Sequence, residues 1–187
     1  MFNRFWKALG RYPRRILRTI AGSVLLIILL VKILDYGNRY RATFRHSDAR
    51  IMEIFAERHL TPTIKYYTTH GRKLRYIEIG NDSLPTVLFI HGAPSSMTIN
   101  YRTFRDSLML SKFKMIGVDR PGYGYSDLGN AETSIAKQAA MFKPLLDSLG
   151  KRKRPIIVAG FSFGGPIACK IAMDYPELVG VDFVCEV

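Results

Sequence analysis

A chain of 187 residues has room for one folded domain and an appendage, and its 48% hydrophobic content is enough to build a core. The formal charge of +13 suggests nucleic acid, but residues 1–50 carry +9 of it and residues 51–187 only +4, so the excess belongs to the appendage. Cys169 and Cys185 form neither a metal-binding spacing nor a disulfide framework, and they read as small buried hydrophobes.

Residues 1–18 read as a basic interfacial segment, with Arg4, Lys7, Arg11, Arg14, Arg15 and Arg18 set among Phe2, Phe5, Trp6 and Leu9 at helical spacing. An RNA-binding arm is the other reading of such a stretch; beside a hydrophobic segment, anionic lipid is the more economical partner. Thr19–Val31 is uncharged, and with Lys32 snorkelling the apolar run reaches Leu34, which predicts a transmembrane helix over 19–34. A core helix would show a polar face, and a cleaved leader would be followed by a small-x-small site, where this chain has Leu34-Asp35-Tyr36-Gly37. Six basic residues before the span against four after it (Arg39, Arg41, Arg45, Arg50) orient a single-pass N-terminal anchor with the domain extracytoplasmic. Residues 35–60 then form a juxtamembrane linker and a helix over Ser47–Leu60, buried through Ile51, Ile54 and Phe55 and stopped by Thr61-Pro62. His46 and His59 flank that helix as surface or capping residues.

From Thr63 the pattern changes to strands. Thr63–Thr69 and Lys73–Ile79 predict a hairpin around His70-Gly71-Arg72. Asn81-Asp82-Ser83 fits a glycosylation sequon and equally an ordinary turn. Beyond Pro85, apolar strands (Thr86–Ile90, Phe113–Val118, Ile156–Gly160, Val181–Val187) alternate with helices (Ile99–Leu110, Thr133–Leu149, Gly164–Asp174). That alternation predicts an α/β domain over 61–187, a mostly parallel sheet with helices on both faces. Gly150 is the expected C-cap of the middle helix, Pro144 its expected kink, and Lys151-Arg152-Lys153-Arg154 a solvated loop.

The chemistry concentrates at Gly160-Phe161-Ser162-Phe163-Gly164, a G-x-S-x-G sequence between a β-branched strand and a small-residue helix. A turn that sharp strains the serine backbone and requires small neighbours. It lifts the hydroxyl to the top of the sheet, beside a helix N-terminus that favours a developing oxyanion. No Gly-Lys-Ser/Thr follows, so the stretch is not a phosphate-binding loop.

Two other strand ends carry distinctive loops, His91-Gly92-Ala93-Pro94-Ser95-Ser96 and Asp119-Arg120-Pro121-Gly122-Tyr123-Gly124-Tyr125-Ser126-Asp127. With the elbow, these motifs and their order resemble the α/β-hydrolase family, in which H-G-x-P, D-R-x-G-x-G-x-S and G-x-S-x-G follow one another. The resemblance implies Ser162 as nucleophile and the backbone N–H groups of Phe163 and Ala93 as the oxyanion hole. It implies that His91, Gly92, Gly160, Gly164 and Asp119 shape the site; the ring of His91 holds its own loop rather than reaching the hydroxyl. Haloalkane dehalogenases and epoxide hydrolases of the family carry aspartate at the place of Ser162. Serine therefore points to acyl transfer from esters, thioesters, amides or peptides, or to C–C bond hydrolysis, on a small-molecule acyl substrate, with no metal or organic cofactor.

The family order is nucleophile, acid, histidine, and no histidine follows Ser162. Glu186, ending the last strand, resembles the acid of the dehalogenase layout; a polar residue at a strand end is the alternative. The family sheet has eight strands against the six read here, so the expectation is a domain incomplete at its C-terminus, with an exposed last strand and no ordinary esterase turnover. A non-catalytic binding or interaction module is the competing reading.

Overall fold

The computed structural model describes residues 13–179 and 184–186. It divides into two compact units, the second beginning at Phe44. Most of the expected interfacial segment, residues 1–12, lies outside the described residues.

In the first unit one helix, α1 (Arg14–Phe44), extends beyond the expected span on both sides. Within it Arg18–Gly37, 20 residues of mean hydropathy 2.0, is long and apolar enough to cross a membrane. By length and composition it suits a membrane anchor or a signal sequence alike. Its Val24–Val31 side chains are each at least half exposed.

The second unit starts earlier than residue 61. Helix α2 (Asp48–Ala56) is capped by Ser47, whose Oγ accepts the Arg50 N–H at 3.2 Å. Its Ile51, Ile54 and Phe55 pack into one core with Ile77, Ile79, Met97, Tyr101, Phe104 and Met115. The helix expected in a linker is therefore an integral layer of the domain. Its apolar stripe is what makes it one.

Strands β1 (Thr63–Thr69) and β2 (Arg72–Ile79) form the hairpin, with His70 and Gly71 both at positive φ (48° and 72°), the backbone a tight two-residue turn requires. They continue into β3 (Thr86–Ile90), β4 (Lys114–Val118), β5 (Ile156–Phe161) and β6 (Val184–Glu186). The sheet order is β1-β2-β4-β3-β5-β6, with β4, β3, β5 and β6 parallel and β2 antiparallel to both neighbours. All four parallel strands thus end on one edge, where open α/β sheets hold ligands.

Two helices cover one face, α5 (Ile135–Gly150) and α6 (Gly164–Asp174). Phe142, Leu146, Leu149, Ile167 and Ile171 pack there against Leu88, Ile90, Ile116, Val118 and Val158. Helix α5 includes Gly150, and Lys151 takes the cap position expected for it. On the opposite face the single helix expected over Ile99–Leu110 is three short pieces: a 3-10 turn (Met97–Asn100), α3 (Tyr101–Phe104) and α4 (Ser107–Lys112). Asp106 causes the last break, since its Oδ1 accepts the Met109 N–H at 2.9 Å and starts a new helix. Beyond these pieces, Phe89, Ile99, Met109, Phe113, Ala159 and Phe161 line an apolar hollow of about 570 Å³.

Candidate active site

Strand β5 ends at Phe161 and α6 begins at Gly164, so Ser162 and Phe163 are the whole of the turn. Ser162 has φ 50°, the left-handed backbone that a bend this abrupt imposes. The flanking glycines are sterically required: a Cβ at Gly160 would lie 2.3 Å from the Gly164 carbonyl oxygen, and one at Gly164 2.1 Å from that of Ile90. The Gly165 N–H closes on the Ser162 carbonyl at 2.8 Å, leaving the Ser162 side chain at the exposed crest.

The loop after β3 lies directly against this crest. A Cβ at Gly92 would stand 3.0 Å from Ser162 Cβ and 3.1 Å from the Phe161 carbonyl oxygen, so a larger residue would push the two loops apart by a few tenths of an ångström. Ala93 follows, exposed, while His91 before it has no exposed surface. The Arg120 N–H donates to His91 Nε2 at 2.9 Å, which puts the ring proton on Nδ1, 2.7 Å from the Gly92 carbonyl oxygen. Burial, and then the charge of Arg120, pushes the His91 pKa down to about 3. His91 is a neutral strut with both nitrogens engaged.

Arg120 and Asp119 anchor the third loop. Arg120, 1% exposed, donates from Nε to the His91 carbonyl (2.7 Å), from Nη2 to the Gly92 carbonyl (2.9 Å) and from Nη1 to Gln138 Oε1 (3.0 Å). Its guanidinium lies 4.5 Å from the Tyr123 ring centroid and 5.1 Å from that of Phe163. Asp119 has no exposed surface; it takes the Met97 and Tyr125 N–H groups at 3.0 Å each and the Arg75 Nε at 3.0 Å. Burial raises the pKa of its carboxyl, and Arg75 with the two backbone donors opposes that rise. Arg75 in turn reaches the His46 carbonyl and Asp48 Oδ1, both at 2.9 Å, so the loop is tied to the start of α2.

A family model described as the alpha/beta hydrolase fold matches residues 85–180, which contain all three loops. The chain belongs to the α/β-hydrolase fold family. Among curated relatives of this hydrolase-fold chain, Epoxide hydrolase 1 of Caenorhabditis elegans is 30% identical over 128 residues, 66% of this chain and 30% of the relative. Epoxide hydrolase 4 of Mus musculus is 32% identical over 114 residues, 58% of this chain and 30% of the relative. The chain thus spans about 30% of the length of these two relatives. Among solved structures, a membrane phospholipase A described as a bacterial virulence factor aligns with TM-score 0.60 and 23% identity, over 90% of this chain and 51% of its own. That likeness is one of fold.

Other expected site residues fall as follows in the hydrolase-fold unit. Glu186 is on β6, its backbone in register with Phe161, so the strand brings it to the elbow's level; its side chain lies outside the described residues, as do 180–183 and Val187. His46 and His59 flank α2 and His70 sits in the β1–β2 turn, where its Nδ1 is 2.9 Å from Thr69 Oγ1. Strands β2, β4 and β3 separate that hairpin turn from β5. Among the described residues no group of three or more His, Cys, Asp or Glu side chains is disposed to hold a metal. No motif in the sequence assigns a role to Arg75, Arg120 or Gln138. The arginines give one signal, a charged residue on the strand face that carries Ile77 and Ile79 (Arg75) or just past the end of an apolar strand (Arg120), which asks for a buried partner.

Proposed function

We propose that this chain carries the nucleophile of a membrane-anchored serine hydrolase, with Ser162 attacking an ester, thioester, amide or related acyl carbonyl. The close approach of the Gly92 loop to the left-handed Ser162 supports the reading, and in it the amides of Ala93, next after Gly92, and of Phe163, next after Ser162, are the two donors of an oxyanion hole. Two such donors suit the oxygen of a tetrahedral intermediate. The serine itself separates this chemistry from that named in the epoxide hydrolase relatives. The anchor is α1, oriented by the excess of basic residues before it so that the domain is extracytoplasmic.

A serine hydroxyl also needs a base. His91 is committed to Gly92 and Arg120, and the other three histidines belong to α2 and the hairpin. The 187-residue chain is therefore expected to show no p-nitrophenyl acetate turnover above its Ser162→Ala variant. Added imidazole supplies a base from solution, and should then promote labelling of Ser162 by a fluorophosphonate, read as a mass increase on that one peptide. No labelling at Ser162 at any imidazole concentration would leave the non-catalytic module as the better reading. Turnover without imidazole would overturn the missing base.

A further inference from the structure

The Gly92 carbonyl oxygen receives two hydrogen bonds, from His91 Nδ1–H at 2.7 Å and from Arg120 Nη2 at 2.9 Å. That carbonyl belongs to the same peptide unit as the Ala93 N–H. Peptide planarity means that whatever fixes the oxygen also fixes the N–H on the other side, and a charged donor on the oxygen makes the N–H a stronger donor. Arg120 also holds the preceding carbonyl, that of His91, and lies 5.1 Å from the ring of Phe163, the residue that supplies the second amide. One guanidinium therefore bonds the peptide of one candidate donor and lies beside the ring of the residue that carries the other.

Among the described residues its charge has no carboxylate counterion. It donates to two carbonyls and the Gln138 amide, and the neighbouring Asp119 is engaged with Arg75. A buried arginine is normally paired. One without a carboxylate partner, beneath a site that develops negative charge, lowers the energy of that charge.

We propose that Arg120 is a positioning residue for the oxyanion hole: it orients and polarises the Gly92–Ala93 peptide and supplies a positive charge that favours an anion at Ser162. The proposal rests on the nucleophile reading of Ser162. It predicts a preference for substrates and inhibitors that become anionic at the reacting atom.

A boronic acid tests it without a general base. Ser162 Oγ adds to the trigonal boron of phenylboronic acid, forming an O–B bond and a tetrahedral boronate anion, and the hydroxyl proton passes to buffer. The full chain in detergent micelles is titrated with pH, and the tetrahedral adduct is read by boron NMR. Wild type should show an adduct that Ser162→Ala lacks. In Arg120→Met the midpoint pH for the adduct should rise by about one unit, a tenfold loss of affinity at fixed pH. Arg120→Lys keeps the charge but reaches only one carbonyl, and its midpoint should rise by less. Cooperative thermal unfolding checks each variant, and if Arg120→Met does not fold, a raised midpoint in Arg120→Lys carries the proposal. Unchanged midpoints in the folded variants overturn it while leaving Ser162 as nucleophile; absence of any adduct in wild type overturns both.

Discussion

Both ends of the sheet are built from buried charge, but in different ways. At the site end, Asp119 and Arg75 are fully enclosed and most of their hydrogen bonds run to backbone groups or to each other. At the opposite end, Glu78 is gripped by Lys65, by Lys114 at 2.8 Å and by Arg152 at 3.4 Å, while Asp82 pairs with Lys114 and, at 2.9 Å, with Arg152. Those partners bind side chain to side chain, and Asp82 is 70% exposed. Backbone-directed bonds fix where a loop runs; side-chain pairs only hold strand ends together. The site end is a device for geometry, the far end a set of clasps.

The sharpest way to break this comparison is Asp119→Ala, which strands Arg75 and two N–H groups in the interior. Unfolding free energy should fall by about 3–5 kcal/mol, with little recovery in 1 M salt, measured by chemical denaturation.

Acid should act next, through His91. Its pKa is near 3 when folded against an ordinary 6.5, so the unfolded chain binds the proton more readily. The neutral ring's contribution is complete above pH 6.5 and is lost progressively as pH falls toward 3. A melting temperature that declines over this range in wild type, with a flatter decline in His91→Gln, is the expected result.

At the far end, Glu78→Gln should cost less, about 1–3 kcal/mol, and high salt should shrink the difference. Burial raises the Glu78 pKa, but the bonds from Lys114 and Lys65 outweigh it and hold the carboxyl below its ordinary value. The stability it contributes is present above the ordinary carboxylate pKa and is lost as pH falls through the lowered one. An equal salt response for Glu78→Gln and Asp119→Ala would erase the distinction between the two ends. The smallest effect has the opposite sign: Ser162→Gly relieves the left-handed backbone and should stabilise by about 1 kcal/mol while abolishing fluorophosphonate labelling.

Strands and the elbow were legible in the sequence because their signals are local. β1, β3 and α6 fall on their expected bounds, each set by a β-branched run or by glycine placement next to it. The split of the helix after β3 was missed, since apolar spacing over Ile99–Leu110 outweighed the cap signal of Asp106. The basic run at 151–154 predicts a solvated loop, but its Arg152 closes on Glu78, 74 residues earlier. The same blindness hid Arg75, whose partner Asp119 is 44 residues away, and Arg120, whose carbonyl acceptors are 29 and 28 residues away. Periodicity reports which face is apolar; it says nothing about which distant carbonyl a buried cation will meet.

The left-handed backbone at residue 162 also limits what else that crest can carry. Aspartate and asparagine enter this conformation readily, whereas a β-branched residue resists it. A threonine, though it too has a hydroxyl, is therefore a poor replacement for Ser162, while an aspartate fits the same bend. The scaffold chooses a location and a side-chain shape, and a single codon there decides between an oxygen that needs a base and a carboxylate that is already charged.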